Sequence, residues 1–210
     1  MIVAVLTAAT LSLAGCGGGA QPAAAPSSAT GPFTAPRVPQ PADTSDGASP
    51  GDGVPQVADP IDTTTFQKNL CSSLTVDQLK QLGVGAQGQS GTGSNGPECD
   101  WVGAASAGPV GLVATLVIGQ YGSGGLGDVY GQKNNFKYFE PTTMAGYPAV
   151  YGDDVDGRSV GKCVVSVGVV SNAYLQIDVN VQSTSANYQH PCDVAKTAAT
   201  AMISTMKAGG

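Results

Sequence analysis

The stretch CVVSVGVVSNAYLQIDVNV, residues 163–181, decides the fold. In its second half Leu175, Ile177, Val179 and Val181 alternate with Tyr174, Gln176, Asp178 and Asn180. A period of two sends the first set to one face of a strand and the second to the other, so one face is buried and one is wet. The first half, Cys163 to Val170, is dominated by valine and reads as a strand, and Ser171-Asn172 supplies the turn between the two. Consecutive strands joined by a tight turn are antiparallel neighbours.

Elements flank this hairpin on both sides. Pro191 suits the first turn of a helix, where its missing N–H costs nothing. That helix runs to about Lys207 and stops at Gly209, and Ala195, Ala198, Ala199, Met202 and Met206 form a stripe that would lie on the sheet. Towards the N-terminus, Leu112–Ile118 and Cys99–Val102 read as strands. Thr75 reads as the N-cap of a short helix over Val76–Leu82, with Gly83 as its stop. The pattern predicts an α+β domain over 61–210, an antiparallel β-sheet packed by an N-terminal short helix and a C-terminal helix and stapled by disulfides. With eight basic and eleven acidic side chains this domain is weakly acidic, which argues against nucleic acid and against docking to anionic lipid.

The first sixty residues are of another kind. Leu13-Ala14-Gly15-Cys16 ends an apolar run and reads as a lipobox, with residues 1–15 a signal peptide too short to span a bilayer. Cys16 would carry a diacylglycerol thioether, with acyl chains holding the molecule to the outer face of a membrane. The first basic residue is Arg37, which suggests a translation start upstream of Met1. Residues 16–60 follow as a tether; 17–60 hold nine of the fourteen prolines and almost nothing apolar larger than Val. Such a segment cannot bury enough surface to offset ordering entropy, and as a coil it would reach ~35–40 Å.

Lipid on Cys16 leaves Cys71, Cys99, Cys163 and Cys192, an even number in an oxidising compartment. Their wide spacing disfavours a zinc ribbon or a thioredoxin-type site. Four cysteines permit three pairings. The favoured one joins Cys71 to Cys192, tying two helix starts, and Cys99 to Cys163, tying two strands.

Several landmarks recur in a fixed order. They are Cys71 with Leu74, Leu79 and Gly83; Cys99-Asp100-Trp101; Gly146-Tyr147-Pro148-Ala149-Val150; Cys163-Val164-Val165; and Pro191-Cys192-Asp193-Val194-Ala195. Together, over roughly 60 to 207, they resemble an actinobacterial lipoprotein family, the domain of unknown function 3558. The chain departs from it at Asn69-Leu70, where the family shows Asp-Pro. The resemblance implies an envelope location and carries no established activity.

Motifs for catalysis are sparse. The only histidine, His190, precedes Pro191 and reads as a capping or solvent-facing residue rather than part of a triad. Gly122-Ser123-Gly124-Gly125-Leu126-Gly127 has the spacing of a dinucleotide loop but no surrounding βαβ pattern, and Asp128 would repel a pyrophosphate, so it reads as a flexible loop. Asp153, Asp154 and Asp156 lack the further ligands of a calcium loop and read as a solvated hairpin turn balanced by Arg158. Glu98 and Asp100 would share one face of a strand, the arrangement a glycosidase pair needs. Neither a metal nor a cofactor is expected.

Half of the twelve aromatic residues fall between 130 and 151: Tyr130, Phe136, Tyr138, Phe139, Tyr147 and Tyr151. Interleaved with Lys and Asn, they either complete a core poor in Leu and Phe or form a binding face for a sugar, a peptide or a protein. Trp101 reads as core beside Cys99. The leading expectation is a non-catalytic envelope module that binds a protein or wall component. A carrier holding an apolar ligand between sheet and helix would instead need a cavity there. An enzyme would need Glu98, Asp100 and Lys162 to converge in a polar cleft.

Overall fold

Nine-residue strands at the centre of the sheet organise everything else in the computed structural model, which describes residues 53–85, 87–101, 110–119 and 124–209. These all belong to one compact unit, 46–210. The strands are β1 (Gln89–Gly93), β2 (Gly96–Asp100), β3 (Val110–Ile118), β4 (Tyr138–Met144), β5 (Tyr147–Asp153), β6 (Lys162–Val170) and β7 (Ala173–Val181). They form one antiparallel sheet in the order β1-β2-β3-β7-β6-β5-β4. Two meanders, β1–β3 and β4–β7, therefore meet along the β3–β7 ladder.

The alternation in β7 holds for the inner face, while on the other face Tyr174 is buried rather than wet and Gln176 and Asp178 are half-buried, because α3 (Leu126–Gly131) packs over part of it. Leu175, Ile177, Val179 and Val181 enter the main core, as do Cys163, Val165, Val167 and Val169 from β6. This inner face is covered by α4 (Pro191–Lys207), whose Ala195, Ala198, Ala199, Met202 and Met206 are buried as the stripe requires. Beside it lie α1 (Thr64–Lys68), a 3-10 turn over Leu70–Ser73 and α2 (Val76–Leu82). Thr75 and Gln78 close a capping box on α2, and Gly83 ends it in the left-handed region. Gln78 also reaches α4, donating to the Ala201 carbonyl at 3.2 Å. Trp101 is core, its indole nitrogen 2.7 Å from where a Cβ on Gly88 would sit.

Both disulfides join a helical segment to the sheet: Cys71–Cys99 ties the 3-10 turn to β2, and Cys163–Cys192 ties β6 to the start of α4. This corrects the expected pairing. Cys99 and Cys163 share the inner face, but β3 and β7 lie between their strands. At ~4.8 Å per strand they stand roughly 14 Å apart, twice the reach of a disulfide.

Three more features depart from the sequence reading. Packing starts at Val57 rather than at residue 61: Val57 sits against Gly168, the Ile61 amide donates to the Val169 carbonyl at 2.9 Å, and Asp59 pairs with Lys207 of α4 at 2.8 Å. The glycine-rich segment is not all loop. Gly125 caps α3 (Leu126–Gly131), and buried Asp128 accepts from the Gly124 amide at 3.0 Å. β4 and β5 form a full hairpin through Ala145-Gly146, both at positive φ. The lipobox, Cys16, nearly all of the tether, Val102 and Gly122-Ser123 lie outside the described residues.

Candidate functional site

The connection from central β3 to edge strand β4 has to cross the sheet, and α3 makes that crossing on the outer face. Beneath it Val117, Leu126, Val129, Val150 and Tyr174 form a second, smaller core, flanked by Tyr130, Phe136 and Phe139. This cap covers only part of the outer face. Beside it the polar residues of the central strands remain open, and a cleft of 440 Å³ lies between the cap, the β1–β2 turn at Asn95 and the end of β5.

The register explains the floor. Ser166 of β6 stands opposite Gln176 of β7, and Val164 stands opposite Asp178. All four line the cleft, together with the Tyr174 side chain. The walls carry Gln132, Asn135 and Phe136 on one side and Gly152-Asp153-Asp154 on another. Gly152 is needed here: a Cβ at that position would lie 2.9 Å from the Phe136 ring, which itself stacks on Phe139 at a centroid distance of 6.1 Å. The ring is thus held in place from two sides.

Electrostatics set the floor apart from an ordinary wet strand face. Burial pushes the Asp178 carboxyl above the usual range. A 3.1 Å hydrogen bond from the Gln176 amide opposes this, and the negative charges of Asp153 and Glu98 push it further up. Burial likewise raises Asp153, reinforced by its neighbour Asp154. The nearby guanidinium is spent elsewhere. Arg158 pairs with Asp156 at 2.7 Å and Glu140 at 2.8 Å and covers the Tyr138 ring, which holds Asp156 down at about 2.

The six aromatic residues do not form one face. Tyr147 belongs to the main core, and Tyr151 packs against it, its hydroxyl donating to the Cys192 carbonyl at 3.3 Å. Tyr138 is buried under Arg158. Tyr130 and Phe139 meet edge to face in the small core, at 5.0 Å, and of the six only Phe136 lines the cleft. Core completion, not a shared binding face, accounts for most of this cluster.

Glu98, Asp100 and Lys162 share the outer face without converging. The two carboxylates are on β2 and Lys162 is on β6, three strands away, or roughly 14 Å. His190 is exposed at the N-cap of α4 and makes no side-chain capping bond. Among the described residues no group of three or more His, Cys, Asp or Glu is arranged to hold a metal ion. No helix there is long and apolar enough to cross a membrane. The sequence reading placed Gln176 and Asp178 on the wet face but did not single them out. What could have found them was the register, which sets Ser166, on a strand that reads as valine-dominated, beside Gln176 on one that reads as half polar.

A family model described as a protein of unknown function, DUF3558, matches residues 11–205. No curated protein and no solved structure matches the chain.

Proposed function

The chain belongs to the DUF3558 family, and on that premise we propose a non-catalytic binding module of the cell envelope. It is anchored through lipid on Cys16 in the manner of actinobacterial lipoproteins and takes its ligand in the polar cleft over β6 and β7. The cleft carries this reading. It has the size of a ligand site, its floor is built on two long paired strands inside the sheet, and its polar side chains converge. Among the described lining residues Ser166, the hydroxyl best placed to be a nucleophile, has neither histidine nor lysine beside it, which favours binding over catalysis. The carrier alternative, a lipid or small apolar ligand held between sheet and helix, finds no support in the interface. Val165, Val167, Leu175, Ile177, Ala198 and Met202 fill it without exposure.

A photo-crosslinking side chain at Asn135, on the cleft rim, or at Lys196, on the exposed side of α4, separates the two faces in living cells. The full chain should capture an envelope component from position 135 and none from 196. Equal capture from both positions, or capture from 196 alone, contradicts the reading. The anchor is checked by fractionation. The wild type should sediment with membranes and Cys16→Ser should be released, whereas a variant that stays with membranes contradicts lipid attachment.

A further inference from the structure

We propose that the cleft takes a hydroxylated ammonium compound, of the amino-sugar class, with its ammonium over Asp178 and its hydroxyls on the surrounding amides. This rests on the reading of the cleft as the ligand site and adds what that site selects.

Three independent features of the cavity point the same way. The first is charge. Among the described residues the lining holds Asp153, Asp154 and Asp178 and no Lys, Arg or His. The charges that act on Asp178 are those of Asp153 and Glu98, both negative. Lys162 projects from the same face but stands opposite Asn180, one row further along the strands, and is not part of the lining. A half-buried carboxylate with a neutral amide as its hydrogen-bond partner favours an incoming cation and rejects phosphate or carboxylate ligands. A bare metal ion would need several oxygens at once, and these side chains are not grouped that way.

The second feature is the neutral part of the lining. Asn95, Gln132, Asn135 and Gln176 are amides, each able to donate and accept, and Ser166 adds a hydroxyl between them. Within the protein Gln176 donates to Asp178, Gln132 donates to the Asp128 carbonyl and Asn95 accepts from Ser94, and each keeps further donor or acceptor capacity towards the cleft. A polyol, whose hydroxyls also donate and accept, would satisfy them.

The third is the Phe136 ring, held against Gly152 at the wall. An aromatic face offers an apolar surface for the C–H side of a sugar ring or attraction for a cation. The volume of 440 Å³ suits a small ring compound rather than a folded partner.

The test uses three methyl glycosides of matched shape, those of glucosamine, glucose and glucuronic acid. Each is titrated into the full chain with disulfides intact, followed by the amide resonances of Ser166, Gln176 and Asp178. The glucosamine glycoside should shift these resonances with at least tenfold higher affinity than the glucose glycoside, and the glucuronide should not shift them. Asp178→Asn should abolish the preference for the amine while leaving a dispersed, folded spectrum. If glucose binds here as tightly as glucosamine, the ammonium assignment falls and the cleft remains a ligand site. If none of the three shifts these resonances, the amino-sugar assignment falls; if the crosslinking at Asn135 also fails, the cleft reading falls with it.

Discussion

Gly125 shows how a single residue positions the cleft. Its φ of +57° and ψ of −149° lie where only glycine is at ease, and a Cβ there would run into the Ser171 carbonyl. The residue turns the chain into α3 and so fixes the wall that Gln132 and Phe136 occupy. Gly125→Ala should therefore lower stability by about 2–3 kcal/mol in urea unfolding, from backbone strain and steric overlap. A loss below about 0.5 kcal/mol would show that α3 is not held this way. The sequence marked this glycine only as one of a run, because a conformational requirement leaves no trace in residue type when four glycines crowd into six positions. Asp178 was hidden for a different reason. On its own strand it is one polar residue in a regular alternation, and only the neighbouring strands make it the floor of a cavity.

At the level of elements, legibility followed the local signal. β7 and α4 repeat their periods over two turns or more, and the capping box and Gly83 bracket α2 on both sides, so these were readable from residue type alone. β4 and β5 were not. Pro141 and Pro148 interrupt them, and proline in a strand normally argues against one. Both are tolerated here for positional reasons: β4 is an edge strand, and Pro148 falls outside the stretch of β5 that pairs with β6. The Ala145-Gly146 turn lacks the asparagine or aspartate that usually marks such hairpins. Disulfide pairing was also beyond the sequence, since it depends on the order of strands in space. The bridge from β6 to α4 closes a loop with a sequence separation of 29. Replacing Cys163 and Cys192 together by serine should cost about 3–4 kcal/mol by loop-closure entropy. Non-reducing peptide mapping of the wild type should recover Cys71–Cys99 and Cys163–Cys192, and a Cys71–Cys192 peptide would contradict the fold described.

Over the whole molecule, the two faces of the sheet divide the work. The inner face is sealed by α4 and its disulfide and carries the stability. The outer face is capped over part of its area and leaves a half-buried carboxylate, Asp178, facing a cavity. That arrangement has a consequence for pH. The folded-state pKa of Asp178 lies above its ordinary value of 3.8, so between the two the native state binds more protons than the unfolded one. Its charge therefore lowers stability as pH rises through that window, and the penalty is absent below the ordinary carboxylate range and complete once pH has passed the raised pKa. On the proposed reading of the cleft, this cost is the one that a carboxylate placed to meet a cationic ligand would carry.

Urea unfolding of wild type and Asp178→Asn at pH 7 and pH 3 tests this division most directly. The variant should be more stable by about 1 kcal/mol at pH 7, with the difference gone at pH 3. A variant less stable than wild type at pH 7 would mean that the carboxylate supports the fold, and the case for a ligand site in the cleft beside α3 would not stand.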